Sequence, residues 1–304
     1  MKHTIQPPFH PASMVITTVA LVALVAGLPL VGGCSRSDRS TRTLIQNKGS
    51  DTMVNLAQSW AEEYGKVTAD VGVAVSGGGS GTGIAALING TVDIANASRG
   101  IHTSERESVR KINGVEAIEH TVATDAVVFF LHPNNPATGL TIGQLACIYG
   151  EGGKCETWDA LDITVPGCSG QKIIRVSRQS NSGTYVFIRE AVLGATRDFK
   201  LGSHDMQGSK DVVDLVSKTP CSIGYSGLAY ATEEIRMPCI AKDSSARCIN
   251  PSIENARSGL YPLSRPLFMY TLGPPEGEVK KYLDWILSDA GQAITMARGF
   301  IPVN

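Results

Sequence analysis

Three short stretches combine residue types that could hold an anion: Gly49-Ser50-Asp51-Thr52, Gly79-Ser80-Gly81-Thr82 and Ser182-Gly183-Thr184. Each follows an apolar stretch of β type and leads directly into a helix-like one. The first amides of a helix have no partner within it and lie at the positive end of its dipole, and hydroxyl groups beside them add further donors. Arg178, four residues before Ser182, adds a planar fork of N–H groups matched to two oxygens of a tetrahedral anion. Together these residues predict the capture of a small oxyanion.

Gly77 to Gly83 reads Gly-Gly-Gly-Ser-Gly-Thr-Gly, a run suited to close approach of a ligand to the backbone. No Lys-Ser or Lys-Thr follows it, and the nearest imitation of a Walker A loop, Gly150 to Lys154, ends in Cys155. It also lacks the Rossmann pattern, so ATP and NAD are disfavoured as ligands. Ala97-Ser98-Arg99-Gly100 follows the short apolar run Val92-Asp93-Ile94-Ala95, and strand ends are where α/β folds place ligands. Ser98 and Arg99 therefore join the candidate set.

Enzymatic chemistry finds little support. There is no Gly-x-Ser-x-Gly elbow, Gly224-Tyr225-Ser226-Gly227 being one residue short, and the six histidines follow neither a metal nor a triad spacing. No catalytic residue, metal or cofactor is expected. With a formal net charge of −1 and no basic run, the chain also lacks the field that nucleic-acid binding requires.

The elements that must position these loops alternate. Residues 53–64 carry apolar positions at helical spacing, Val71, Val73 and Val75 alternate as a strand, and Ile84, Leu87 and Ile88 form a second helix ending at Asn89-Gly90. Ser104 with Glu107 reads as a capping box. Val122–Leu131 is a dense β run holding one carboxylate, Asp125; Ile173–Val176 and Leu267–Leu272 are further strands, and helices follow Thr141, Tyr185 and Val279. Trp60, Trp158 and Trp285 are expected in the core or at its rim. The alternation predicts an α/β fold with mainly parallel sheets.

The N-terminus reads as a secretory signal, with Lys2 and His3 before an apolar run that ends Val31-Gly32-Gly33-Cys34. This pattern resembles a bacterial lipobox: residues 1–33 are expected to form a lipoprotein signal peptide, with Cys34 as the lipidation site and 34–43 as a polar tether, the alternative being an uncleaved membrane anchor. The remaining chain of about 270 residues is long enough for two ordinary domains. Six further cysteines, in an extracytoplasmic chain, point to disulfides. Local bridges Cys147 to Cys155 and Cys239 to Cys248, each closing a short loop, are favoured, leaving Cys168 and Cys221 for each other.

Gly-Ser-Asp-Thr-Met, Ser-Gly-Gly-Gly-Ser-Gly-Thr-Gly-Ile, Ala-Ser-Arg, Arg-x-x-x-Ser-Gly-Thr and Ile-Gly-Tyr-Ser-Gly-Leu-Ala-Tyr-Ala occur in this order across residues 44–304. In this the chain resembles the periplasmic phosphate-binding proteins that serve ABC transporters. The resemblance implies a two-lobed, type 2 Venus-flytrap fold with a hinge and a central cleft, lobe 1 comprising 44–127 plus 228–304 and lobe 2 comprising 128–227. It also implies phosphate contacts from Ser50, Thr52 and the Met53 amide, from Ser80 with Gly81, and from Arg178, Ser182, Gly183 and Thr184.

Some members carry an aspartate after the Ala-Ser serine, where this chain has Arg99. Phosphate near neutral pH still bears a proton, so an acceptor carboxylate separates it from sulfate. Asp51 is the first candidate for that acceptor and Asp125, near the expected hinge, the second. The reading is thus a monomeric, membrane-anchored lipoprotein of the periplasm or cell surface that delivers inorganic phosphate to an ABC transporter permease. The alternatives are another oxyanion (sulfate, molybdate or a phosphate ester), a phosphatase-like hydrolase, or a surface signalling protein.

Overall fold

The computed structural model describes residues 42–194 and 196–303. The signal segment, Cys34 and the tether up to residue 41 lie outside the described residues. Among the described residues, ten strands and nine α-helices alternate as expected. The first half runs β1 (Thr43–Gly49), α1 (Val54–Val67), β2 (Val71–Ser76), α2 (Ser80–Ile88), β3 (Ile94–Ala97) and α3 (Thr103–Asn113). A long β4 (Ala117–Leu131) leads to β5 (Gly139–Thr141), α4 (Ile142–Tyr149), β6 (Ile174–Arg178), α5 (Gly183–Ile188), β7 (His204–Met206), α6 (Ser209–Lys218) and β8 (Ser222–Gly227). The chain closes with β9 (Cys239–Ala241), α7 (Ile253–Arg257), β10 (Ser264–Leu272), α8 (Gly277–Ile286) and α9 (Asp289–Ala297).

Eight strands form one sheet in the order β2-β1-β3-β10-β4-β8-β6-β7, with β5 and β9 pairing separately. The two wings are parallel: β1 with β2 and β3, and β6 with β7 and β8. A parallel neighbour needs a crossover, which α1, α2, α5 and α6 supply. The expectation of mainly parallel sheets needs correcting at the centre, where β10 runs antiparallel to both β3 and β4, and β4 antiparallel to β8. The cause is long-range: β10 is inserted into the first wing from far along the chain, a pairing that local patterning does not encode.

Strand β4 joins the two halves. Ala117–Ala126 pair with β10, apart from Val122 at a register shift, and Val127–Leu131 pair with β8. One apolar core gathers Leu56, Trp60, Val122, Met269 and Tyr282 beneath α1, α8 and α9. A larger one surrounds Phe129, Phe130, Tyr149, Trp158 and Tyr225, and a small third core holds Ile84, Leu87 and Tyr270 under α2 and α3. Helix α1 exists because Leu56, Ala57, Trp60 and Tyr64 form one buried stripe, pinned where the Trp60 Nε1–H donates to the Gly291 carbonyl at 2.9 Å.

The capping box of α3 lies two residues earlier than the sequence suggested. The Glu105 carboxylate, not Glu107, turns back to accept from the His102 amide at 2.8 Å, because it is also drawn to Arg99.

The six cysteines are paired as Cys147–Cys155, Cys168–Cys221 and Cys239–Cys248. The glycine- and cysteine-rich segment between α4 and β6 is anchored by Trp158, which is fully buried and donates from Nε1 to the Cys221 carbonyl at 3.0 Å. Cys168–Cys221 therefore ties this excursion to the start of β8 and closes the longest loop of the three, at a separation of 53 residues. A long closed loop removes most entropy from the unfolded chain. Replacing both residues by alanine is expected to lower stability by about 2–4 kcal/mol, read as an earlier urea midpoint; a midpoint equal to wild type would show that Trp158 packing alone holds the segment.

Candidate oxyanion site

The three loops singled out from the sequence meet. Gly49 ends β1 with φ +148, and a Cβ there would lie 2.1 Å from the Asn96 carbonyl oxygen, so only glycine allows β1 and β3 to deliver their loops side by side. The Ser50–Met53 turn then opens α1, with the Met53 amide donating to the Ser50 carbonyl at 3.0 Å. Gly183, at the start of α5, packs against the loops after β2 and β3. A Cβ on it would stand 2.4 Å from Ser80 Oγ and 2.5 Å from Ser98 Oγ.

A buried cluster of hydroxyls results. Ser50 Oγ donates to Ser98 Oγ at 2.9 Å, the Ser98 amide donates to Ser80 Oγ at 3.0 Å, and Thr52 Oγ1 and Thr184 Oγ1 are 2.9 Å apart. Ser182 Oγ accepts from the Thr184 amide and caps α5. The Gly81 amide donates to the Asn181 carbonyl at 3.0 Å, while Asn181 Nδ2 donates to the Gly78 carbonyl at 2.9 Å and to Thr82 Oγ1 at 3.1 Å. Tyr230 holds the first loop from the end of β8: its hydroxyl donates to the Asp51 and Thr52 carbonyls at 2.9 and 3.1 Å. Burial raises the Tyr230 pKa, so it stays a neutral donor.

Three arginines surround the cluster, each facing a carboxylate. Arg178, 1% exposed at the end of β6, donates to the Gln207 and Met206 carbonyls and to Ser209 Oγ, and its Nη2 lies 3.6 Å from Asp51 Oδ2. Asp51 Oδ1 in turn accepts from the Gly78 amide at 2.9 Å. Arg99 makes a bidentate pair with Glu105 at 2.8 and 2.7 Å, which ties its guanidinium to the start of α3, with Nη2 also beside Gly81 of the glycine-rich loop. Burial pushes the Glu105 carboxyl up, but the bonds from Arg99 and the His102 amide outweigh it and hold its pKa below the usual value.

The third arginine, Arg265, was not singled out in the sequence. It stands opposite Asp125 in the β10–β4 ladder and pairs with it at 2.9 Å, both side chains being almost fully buried. Arg265 also donates from Nη1 to the Ser98 carbonyl at 3.0 Å and from Nη2 to Thr184 Oγ1 at 2.8 Å and Thr52 Oγ1 at 3.4 Å, and lies over the Phe187 ring. Asp125 is therefore engaged by Arg265 instead of standing free as a second acceptor. Burial raises the Asp125 pKa against the pull of Arg265, and burial lowers those of Arg178 and Arg265 against the attraction of Asp51 and Asp125.

Signals for the unflagged residues did exist. A lone carboxylate inside an apolar strand demands a cation, and Arg265, Leu267 and Met269 alternate at strand spacing. Asn181 and Tyr230 lay inside stretches already noted. Among the described residues no group of three or more metal-ligating side chains is present.

An α/β chain built on one curled sheet, with helix starts from both wings meeting over a buried polar cluster, defines the two-lobed class of periplasmic binding proteins. A PBP superfamily domain matches residues 35–290. The phosphate-binding protein PstS of Pseudomonas aeruginosa is 33% identical over 270 residues, covering 85% of this chain and 83% of its own, and the protein SphX of Synechococcus elongatus is 32% identical, covering 86% and 78%. Among solved structures, a candidate phosphate ABC transporter substrate-binding protein from Clostridium perfringens with bound phosphate superposes with a TM-score of 0.76 at 25% identity, covering 86% of this chain and all of that one. The chain belongs to the PBP superfamily and, within it, to the PstS family of phosphate-binding proteins.

The contact of Gly183 with Ser80 and Ser98 makes the cluster sensitive to a single methyl. At an unobstructed helix start alanine is as good as glycine or better, yet here Gly183→Ala is expected to destabilise by about 1–3 kcal/mol through overpacking. A thermal midpoint at or above wild type would mean that the loops do not meet this closely in solution.

Proposed function

We propose that the protein binds inorganic phosphate among the starts of α1, α2 and α5 and passes it to an ABC transporter permease. The observation that carries this reading is the convergence of Ser50, Thr52, Ser80, Ser98 and Thr184, from four separate segments, beside Arg178 and Asp51. Hydroxyls, helix-start amides and a guanidinium are the donors a tetrahedral anion takes in exchange for water. The proposed lobes are 44–127 plus 228–304 and 128–227, except that β9 pairs with β5 and Ile235, Ile240, Ala256, Tyr261 and Leu263 pack in the second lobe's core; β4, shared between the two wings, supports a hinge near its middle.

Asp51 is the acceptor for the ligand's proton. With one carboxylate oxygen on the Gly78 amide, the other is oriented beside Arg178. A sulfate dianion, having no proton to give, would meet an unshared charge there. The protein binds and releases; it does not catalyse a reaction, in keeping with the substrate-binding role of its family. Three disulfides suit an oxidising, extracytoplasmic location, and the lipobox sequence supports anchoring of a monomer through Cys34.

Isothermal titration of the folded protein tests the reading. Phosphate is expected to bind and sulfate to be rejected, with Arg178→Ala weakening phosphate roughly 100-fold, as loss of a two-pronged bond to a charged group implies. Unaltered affinity in that variant would remove Arg178 from the site. Asp51→Asn should narrow the gap between phosphate and sulfate, since an amide can donate to an unprotonated oxygen; a gap as wide as in wild type would move the acceptor elsewhere.

A further inference from the structure

Asn181 lies in the third loop, within the second of the proposed lobes, yet its hydrogen bonds run to the glycine-rich loop of the first. Its Nδ2 donates to the Gly78 carbonyl at 2.9 Å and to Thr82 Oγ1 at 3.1 Å, and its backbone carbonyl accepts from the Gly81 amide at 3.0 Å. A side-chain amide has two protons to give. Both go to acceptors within the protein, so Asn181 Nδ2 has none left for an anion. The Gly81 amide, which the family resemblance assigns to the ligand, is likewise taken up by the Asn181 carbonyl.

The glycine-rich loop is shaped around this residue. A Cβ on Gly79, whose φ is +92, would stand 2.8 Å from the Asn181 carbonyl oxygen and 3.1 Å from Asn181 Cγ. Any other residue at position 79 would therefore hold the two loops apart. Part of what the glycine run offers as space for a ligand is thus space for Asn181. The contact sits at the rim: Asn181 is exposed, whereas Thr52, Ser80, Arg178 and Thr184 are buried behind it.

We propose that Asn181 and the glycine-rich loop form a clasp between the lobes, and that Asn181 sets how long bound phosphate is retained without itself touching it. The inference rests on the phosphate reading above. The side-chain amide and its two acceptors are 103 and 99 positions apart in the chain and lie on opposite sides of the cleft, so opening breaks these bonds. Exposed bonds of this kind are too weak to shut an empty cleft, and the clasp acts on the filled one. A contact made only on closing stabilises the closed, filled state and leaves the open state that admits the ligand as it was. Its loss shortens retention, does not alter entry, and weakens affinity by the factor by which release is quickened.

Four proteins separate a clasp from a ligand contact: wild type, Asn181→Ala, Thr82→Val and the double variant, each checked for folding by circular dichroism. Release is followed as loss of radiolabelled phosphate into excess unlabelled phosphate, and entry as its uptake by ligand-free protein. Asn181→Ala is expected to release phosphate roughly 3- to 30-fold faster, as the loss of two partly solvated hydrogen bonds implies. Its entry rate should stay within about twofold of wild type. Thr82→Val removes one of the two acceptors and should quicken release in the same direction by less. Adding it to Asn181→Ala should change nothing more, because its partner is already gone.

Wild-type release from a folded Asn181→Ala protein overturns the proposal. So does a double variant in which the two effects multiply, since each residue would then act by itself. Weaker affinity carried by slower entry also overturns it, because Asn181 would then belong to the path of the ligand and not to the closed state. These three outcomes leave the phosphate reading standing. A wild-type protein that takes up no phosphate overturns that reading, and the clasp with it.

Discussion

A buried arginine keeps its charge, so the chain has to bring a carboxylate or a set of carbonyls with it. Much of this site's arrangement follows from meeting that demand three times within a small space. Arg265 is answered by Asp125 across the β4–β10 ladder, Arg178 by Asp51 and the Gln207 carbonyl, and Arg99 by Glu105. Each answer spans separate elements, and so each fixes the position of one against another. The Arg265 pair joins the central strands, the Arg178 contacts join the first loop to the end of β7, and the Arg99 pair locks the strand-end loop to the start of α3. Hydroxyls between these pairs are then held in fixed places without a net charge of their own.

The pairing has an electrostatic consequence. Three cations and three carboxylates leave the surroundings of the cluster formally neutral, so the anion binding proposed here rests on oriented N–H and O–H dipoles at short range and not on a distant field. An overall charge of −1 agrees with this, since the chain as a whole offers no long-range steering toward an anion. On the proposed reading, selection therefore rests on contact geometry.

The legible part of this arrangement was local. Glycine, serine and threonine at strand-to-helix junctions give up side-chain bulk and keep donors, and that composition can be read within five residues. The loops at Ser50, Ser80 and Ser182 are therefore legible in the sequence, as is the α/β alternation that presents them. What stayed hidden depended on partners far along the chain. Arg265 lies 140 positions from Asp125, and only the antiparallel insertion of β10, which no periodicity announces, brings the two together. Arg99 looked like a second anion-binding fork, but a carboxylate six positions on takes both its prongs. The same pull on Glu105 explains why the α3 cap falls two residues before the Ser104–Glu107 pattern.

Asn181 raises a different physical question. Its side-chain amide and its backbone carbonyl tie the third loop to the glycine-rich one through three hydrogen bonds, none of which involves a ligand. Bonds of this kind are worth about 0.5–1.5 kcal/mol each, because in an open arrangement the same groups bond to water. Together with the Thr52–Thr184 contact they set a modest standing preference for the two wings to meet. A preference of that size is useful only within limits. Too little, and the ligand has to supply all of the closure from its own binding energy; too much, and the cleft closes whether or not it is filled, which weakens apparent affinity by the fraction already shut. Exposed amide bonds at the rim, with the arginine pairs buried behind them, keep this preference small while leaving the donors behind it in register.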